Sequence, residues 1–300
     1  MRYRYYTVDV FTNQRFGGNQ LAVLPDAAGL SSEQMQAITR EFNYSESTFV
    51  LPPTDPANTR AVRIFTPERE LPFAGHPNVG TAYVLAMSGA VPLDAHTTVR
   101  FEEGAGIVPV GIQCADGKPQ YCELRAPGTL ERGTQLASDE MAAALGLNVD
   151  DIVNANHAPL LATVGISFIL VELANLNALA RVAPARDRLE MLPLEAFPGV
   201  LAYTRETNDS KVDVRARMFA SLGGIREDPA TGSANCALSA LLADLSEEQT
   251  HTFEYSIAQG VEMGRPSELL SRVEKVNGRI EAIYIGGQCV AVTEGEIEVG

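Results

Sequence analysis

Residues 75–86 read Gly75-His-Pro-Asn-Val-Gly-Thr-Ala-Tyr-Val-Leu-Ala86, and residues 232–243 read Gly232-Ser-Ala-Asn-Cys-Ala-Leu-Ser-Ala-Leu-Leu-Ala243. Four of the twelve positions are identical: Gly75/Gly232, Asn78/Asn235, Leu85/Leu242 and Ala86/Ala243. Each stretch starts a helix at a glycine. Each follows a strand-like run ending in Phe (Phe65, Phe219) and a loop with proline and acids. This agreement predicts two related halves. A pseudo-twofold axis between them would set two helix N-termini opposite one another across a cleft. Each N-terminus offers unpaired backbone N–H groups and the positive end of the helix dipole. Two of them would clamp a small anion such as a carboxylate.

Outward from these helices the chain reads as strands with few, well-marked helices. Arg4–Phe11 alternates like a strand. Ser31 and Gln34 form a capping box for a helix running to about Asn43, with Leu30 as its hydrophobic staple. Pro77 is read as opening the helix that ends at Gly89. Thr97–Glu102, Ile107–Gln113 and Gln120–Leu124 are short strands, the last two joined by an Asp116-Gly117 turn. Beyond the linker candidate Ala126-Pro-Gly-Thr129, Ser138 is read as the cap of a short helix. Ser167–Leu173 and Val200–Thr204 follow as strands. In Val212–Phe219, the small and apolar Val212, Val214, Ala216 and Met218 alternate with Lys211, Asp213, Arg215 and Arg217. Asn277-Gly278 closes a late hairpin. The expected class is α+β, a mostly antiparallel sheet rolled around a central helix in each half. The halves are set at residues 1–127 and 128–300, with the terminal strand able to pair with the other half.

Composition narrows the function classes. The chain has 300 residues, 45% of them hydrophobic, enough for a substantial core. Its formal net charge of −15 opposes a nucleic-acid partner. The start, Met1-Arg-Tyr-Arg-Tyr-Tyr6, has no apolar signal region. The most apolar run, Ala158–Val171, is shorter than a membrane span. A cytoplasmic protein with no membrane partner is expected. None of Cys114, Cys122, Cys236 and Cys289 forms a C-x-x-C pair, and His76, His96, His157 and His251 are widely spaced. No metal is expected. There is no G-x-G-x-x-G, Walker or G-x-S-x-G sequence to mark a dinucleotide, nucleotide or serine-hydrolase site.

Three residues could move protons. Glu46 lies between a helix and an apolar strand, where desolvation would raise its pKa toward a useful value. His76 is second in a helix, where the positive end favours its neutral form. Asp228 precedes Pro229 in Glu227-Asp-Pro-Ala-Thr-Gly-Ser233, and Ser233 offers an anion-binding hydroxyl. Taken singly, Glu46 reads first as a capping or salt-bridged surface group, Asp228 as a turn or cap residue and His76 as a turn former.

Together these segments resemble the phenazine-biosynthesis (PhzF-like) isomerase family, which shares the diaminopimelate epimerase fold. The matching stretches are Val8-Asp-Val-Phe-Thr12 with Gly17-Gly-Asn-Gln-Leu-Ala-Val23, Ser45-Glu-Ser-Thr-Phe49, Phe65-Thr-Pro67 with Leu71-Pro-Phe-Ala-Gly-His-Pro77, Glu227 to Ala234, and Gln259-Gly260 with Met263-Gly-Arg-Pro266. The resemblance implies an active site between two similar domains and cofactor-free proton transfer. Glu46 matches the family's catalytic Glu, and His76 and Asp228 match residues that hold the substrate and assist. Gly75, Gly232 and Ser233 match positions that bind the substrate carboxylate, with Ser45 beside the Glu. One departure is Gln20, where the family usually has Pro after Gly-Asn; it is expected to alter the pocket rim. Related epimerases carry two cysteines at the helix N-termini, where this chain has Gly75 and Gly232.

The function these readings imply is a cofactor-independent isomerase, moving a proton between carbons of a small carboxylate with Glu46 as general acid and base. A homodimer is the expected assembly. An amino-acid epimerase or racemase, and a non-catalytic binding protein on the same fold, are the rival readings at this point.

Overall fold

The computed structural model describes residues 1–190, 199–220 and 227–300. The chain forms two compact units, Met1–Arg125 with Gly286–Gly300, and Ala126–Ile285.

The first unit contains β1 (Arg2–Val10), β2 (Asn19–Leu24), α1 (Ser32–Phe42), β3 (Glu46–Leu51), β4 (Arg60–Phe65), β5 (Glu70–Leu71), α2 (Gly75–Met87), β6 (His96–Glu103), β7 (Gly106–Ala115) and β8 (Lys118–Arg125). The second contains β9 (Glu131–Gln135), α3 (Ser138–Leu145), β10 (Leu160–Val164), β11 (Ile166–Glu172), α4 (Leu176–Arg181), α5 (Arg186–Glu190), β12 (Gly199–Thr204), β13 (Val214–Ala220), α6 (Gly232–Leu245), β14 (His251–Gln259), β15 (Ser267–Val276) and β16 (Arg279–Gly287). A last strand, β17 (Cys289–Glu298), pairs antiparallel with β1 from Arg2↔Glu298 to Val10↔Cys289. That long ladder belongs to the first unit.

The two units run through the same strand order. In the first it is β17-β1-β2-β3-β4-β6-β7-β8, and in the second β9-β10-β11-β12-β13-β14-β15-β16. The β2–β3 and β4–β6 pairs are parallel, and so are β11–β12 and β13–β14. Register makes residues equivalent one by one. Ser47↔Phe65 answers Val200↔Phe219, Arg60↔Phe101 answers Val214↔Ile257, and Ile64↔Leu71 answers the isolated bridge Met218↔Asp228. By this register Phe65, Arg63, Leu71 and Glu103 are the counterparts of Phe219, Arg217, Asp228 and Gln259.

One equivalence lies outside the sequence reading. The Arg63 guanidinium grips Glu70 through two bonds of 2.6 Å, and Arg217 grips Glu227 through bonds of 2.8 and 2.9 Å. Each guanidinium lies over the phenylalanine two residues on, 5.1 Å from the Phe65 ring and 4.8 Å from that of Phe219. Arg217 was expected on the polar face of its strand. It is buried instead, its Nη1 donating to the carbonyls of Leu179, Ala180 and Val182 at the end of α4. Those acceptors and Glu227 together compensate its desolvation.

Helices α2 and α6 are almost wholly buried. A helix apolar on every face needs cover all round, and α2 packs against β1, β2, β3, β7 and β8. The contact is close because residue 80 is glycine: a Cβ there would lie 2.6 Å from Leu21 Cδ2 and 2.7 Å from Val10 Cγ2. Likewise α6 packs against β10, β11, β14 and β15. Helix α2 begins at Gly75, at the glycine start it shares with α6 and two residues before the start assigned from Pro77. Proline is accommodated at that third position because its missing N–H belongs to the unpaired first turn. The helix closes as expected at Gly89, whose φ of 75° permits Gly89 N→Ala86 O and Ala90 N→Leu85 O. Ser138 is the first residue of α3 rather than its cap, its hydroxyl donating to Asn154 Oδ1. Among the described residues no helix is long and apolar enough to cross a membrane.

Candidate active site

Local chain geometry gathers four polar side chains in the first unit. Helix α1 carries the expected capping box at Ser31 and stops at Asn43, in the left-handed conformation at φ 53°. That reversal delivers Ser45 and Glu46 to the start of β3, where Glu46 pairs in parallel register with Leu21. Asn19 begins the neighbouring β2. Its approach depends on Gly18, at φ 62°, where a Cβ would lie 2.4 Å from Val10 O. Asp9 braces the same loop by accepting from Phe16 N at 2.7 Å.

His76, second in α2, is buried and sets Nε2 3.6 Å from Glu46 Oε2. Its Nδ1 lies 3.5 Å from Asn19 Nδ2, and Ser45 Oγ donates to Asn19 Oδ1 at 3.1 Å. In the tautomer that lets Nδ1 accept from the Asn19 amide, the ring proton sits on Nε2, toward Glu46. Desolvation pushes the Glu46 pKa up to about 7, and the Ser45 hydroxyl only partly offsets it. The structure therefore brings Ser45, Glu46, His76 and Gly75 into one unit. It adds Asn19, which the sequence reading left out of the site although its Gly-Asn-Gln motif was noted.

The second unit holds Asp228, Gly232 and Ser233. Asp228 Oδ2 accepts from Thr231 Oγ1 at 2.5 Å. Gln259, the last residue of β14, fixes this turn: Nε2 donates to Asp228 O at 2.8 Å and Thr231 Oγ1 at 3.2 Å, while Oε1 accepts from Thr231 N at 3.2 Å and Asn235 Nδ2 at 2.7 Å. Thr231 and Gln259 are further site residues that sequence spacing did not isolate, although Gln259-Gly260 lay in a matched motif.

Both central helices begin without a side-chain cap: neither Ala74 nor Thr231 supplies one, and neither first turn contains an acid. Such an end suits an anion. The carboxyls at the two ends come from different places: the register counterpart of Glu46 is Gly199, where a Cβ would lie 2.3 Å from Phe219 O, and the carboxyl at the α6 end is that of Asp228. No thiol begins either helix. Cys236 lies a turn inside α6, where burial pushes its pKa up to about 12. Among the described residues no group of three or more metal-ligating side chains gathers.

The family model for phenazine biosynthesis-like proteins matches residues 8–295. The chain belongs to this PhzC–PhzF family. It is 36% identical to an uncharacterized isomerase of Mesorhizobium japonicum, with 98% of each chain covered. It is 35% identical, again over 98% of each chain, to trans-2,3-dihydro-3-hydroxyanthranilate isomerase of Pseudomonas aeruginosa. A PhzF-family crystal structure from Bacillus anthracis matches with a TM-score of 0.87 at 27% identity, covering 100% of both chains. A hydroxyproline epimerase of Agrobacterium vitis matches at a TM-score of 0.65 and 18% identity, covering 99% of this chain and 92% of that one. That likeness is one of fold alone. The PhzF-type chain is thus an isomerase with the architecture shared by PhzF proteins and epimerases.

Proposed function

We propose that this isomerase moves a proton between carbons of a small carboxylate without a cofactor, and that Glu46 carries the proton. The observation that supports this most is the state of Glu46. A carboxyl with a pKa of about 7 is present in both forms at neutral pH, so it can take a proton and return it. In the first step the Glu46 carboxylate accepts a proton from a C–H of the substrate, and the bonding pair becomes a delocalised carbanion. In the second, the protonated carboxyl gives the proton to a different carbon and the double bond shifts. No electrons are gained or lost.

Each helix end, at Gly75 in the first unit and at Gly232 in the second, would suit a carboxylate and stabilise negative charge as it spreads. Ser233 adds a hydroxyl, and Asp228 a hydrogen-bonding partner fixed by Thr231. His76 would hold its Nε2 proton toward Glu46 and steady the ionised form. A group of this kind contributes roughly 10²–10⁴-fold to rate. The absence of a thiol at Gly75 and Gly232 weighs against two-cysteine racemisation. Incubation with a metabolite extract in D₂O should shift one or more small unsaturated carboxylates by one mass unit. No label in any unsaturated or amino carboxylate would overturn the proposal.

A further inference from the structure

Glu103, the last residue of β6, is a buried carboxyl with no role in the mechanism above. Both of its oxygens are buried, and the Asn78 amide approaches them short of full hydrogen-bond geometry. Burial pushes its pKa up to about 8, with the Asn78 amide opposing the rise. The chain just after it lies against the segment leading into α2: Ala105 N donates to Pro72 O at 2.9 Å, and a Cβ on Gly104 would lie 3.1 Å from Pro72 Cα.

The second unit shows what this position does. Register makes Gln259 the counterpart of Glu103, and its amide ties Asn235, Thr231 and the Asp228 carbonyl together at the start of α6. Asn78 and Asn235 repeat one further bond, from Nδ2 to the carbonyl four residues earlier, at 3.0 Å to Ala74 and 2.9 Å to Thr231. A glutamic acid has the shape of glutamine and stays neutral while it keeps its proton. Once ionised, it would put a negative charge behind the helix end and oppose an anion there.

We propose that Glu103 is a positioning residue that braces the start of α2 as a neutral carboxylic acid, as Gln259 braces the start of α6, holding the Gly75 amide toward an anion. The anion rests on the function proposed above; the brace does not. The charged groups nearby in the fold are otherwise engaged. On β6, Arg100 bonds Asn58, Glu102 accepts from Thr54, Asp55 and Asn58, and His96 is at the far end. On β4, Arg60 donates to Thr59 and Ala90, and Arg63 to Glu70 of β5. Strand β7 carries no charged residue, and on α2 His76 faces Glu46.

The test follows the Gly75 and His76 amide resonances with pH in E46Q and in E46Q/E103Q, so that Glu46 does not titrate. A step centred near pH 8 in E46Q that vanishes in E46Q/E103Q supports the brace. No step, a step that survives E103Q, or an E103Q protein that fails to fold would overturn it. The probe 3-hydroxyanthranilate, the aromatic analogue of one relative's substrate, should bind E46Q about tenfold more weakly at pH 9 than at pH 7. It should bind E46Q/E103Q equally at both. Equal loss in the two would overturn the link to anion binding. A probe that binds neither protein counts against the proposed function, and the amide step still decides the role of Glu103.

Discussion

His76 Nε2 stands 3.6 Å from Glu46 Oε2, against a carboxyl whose pKa burial pushes up to about 7. The base form of Glu46 begins turnover, so kcat/KM should rise about tenfold per pH unit below 7 and level off above it. The stability sign is opposite. A folded pKa raised above the ordinary 4.5 favours the protonated fold, so this contribution is fully present below pH 4.5. It is lost as pH rises through 7. Thermal unfolding should therefore find E46Q more stable than wild type at pH 9, with a smaller difference at pH 5.

Asn19 Nδ2 faces His76 Nδ1 at 3.5 Å, a contact that favours the tautomer protonated on Nε2. N19A should lower kcat by roughly 10-fold or more, since the Nε2 proton is no longer specified. Nitrogen-15 shifts of His76 should show mixed tautomers in the variant and one in wild type. An unchanged tautomer together with an unchanged kcat would remove Asn19 from the site.

Thr231 spends its hydroxyl on Asp228 instead of capping α6. T231V removes the hydroxyl that bonds Asp228 Oδ2 and Gln259 Nε2 and should cost about tenfold in kcat/KM, on the scale of one lost hydrogen bond to a charged group. T231S restores the hydroxyl and should restore most of the rate. Equal loss in both variants would point to packing by the methyl group.

The two Arg–Glu grips should differ in energy although their geometry matches. Arg217 is buried and Glu227 keeps only 16% of its side chain exposed, so R217A strands a carboxylate and should destabilise by about 3 kcal/mol. Arg63 and Glu70 are partly exposed, at 28% and 42% of their side-chain surface, and R63A should cost about 1 kcal/mol or less. Urea denaturation of the two variants measures the contrast.

Much of this was legible in the chain. The Asn78/Asn235 identity marked two central helices, and both asparagines make the same bond to the residue four before them. The capping box at Ser31 and the Asn277-Gly278 turn, with φ of 50° and 78°, are local signals and formed as read. What stayed hidden depends on distant pairing. Arg63 lies seven residues before Glu70 and Arg217 ten before Glu227, so unequal loops mask their equivalence. Glu103 and Gln259 share a role only once strand register is known. Asn19 meets His76 across 57 residues, and β17 finds β1 from the opposite end of the chain. Gln20 gave a readable departure; it lies half-buried in β2 opposite Asp9.

The most direct test is the rate at which E46Q, saturated with substrate, transfers deuterium from D₂O to carbon. Glutamine keeps the shape of the side chain and removes its proton. The expected result is substrate binding close to wild type with transfer slowed by roughly 10³-fold or more. Transfer by E46Q within tenfold of the wild-type rate would contradict Glu46 as the proton carrier.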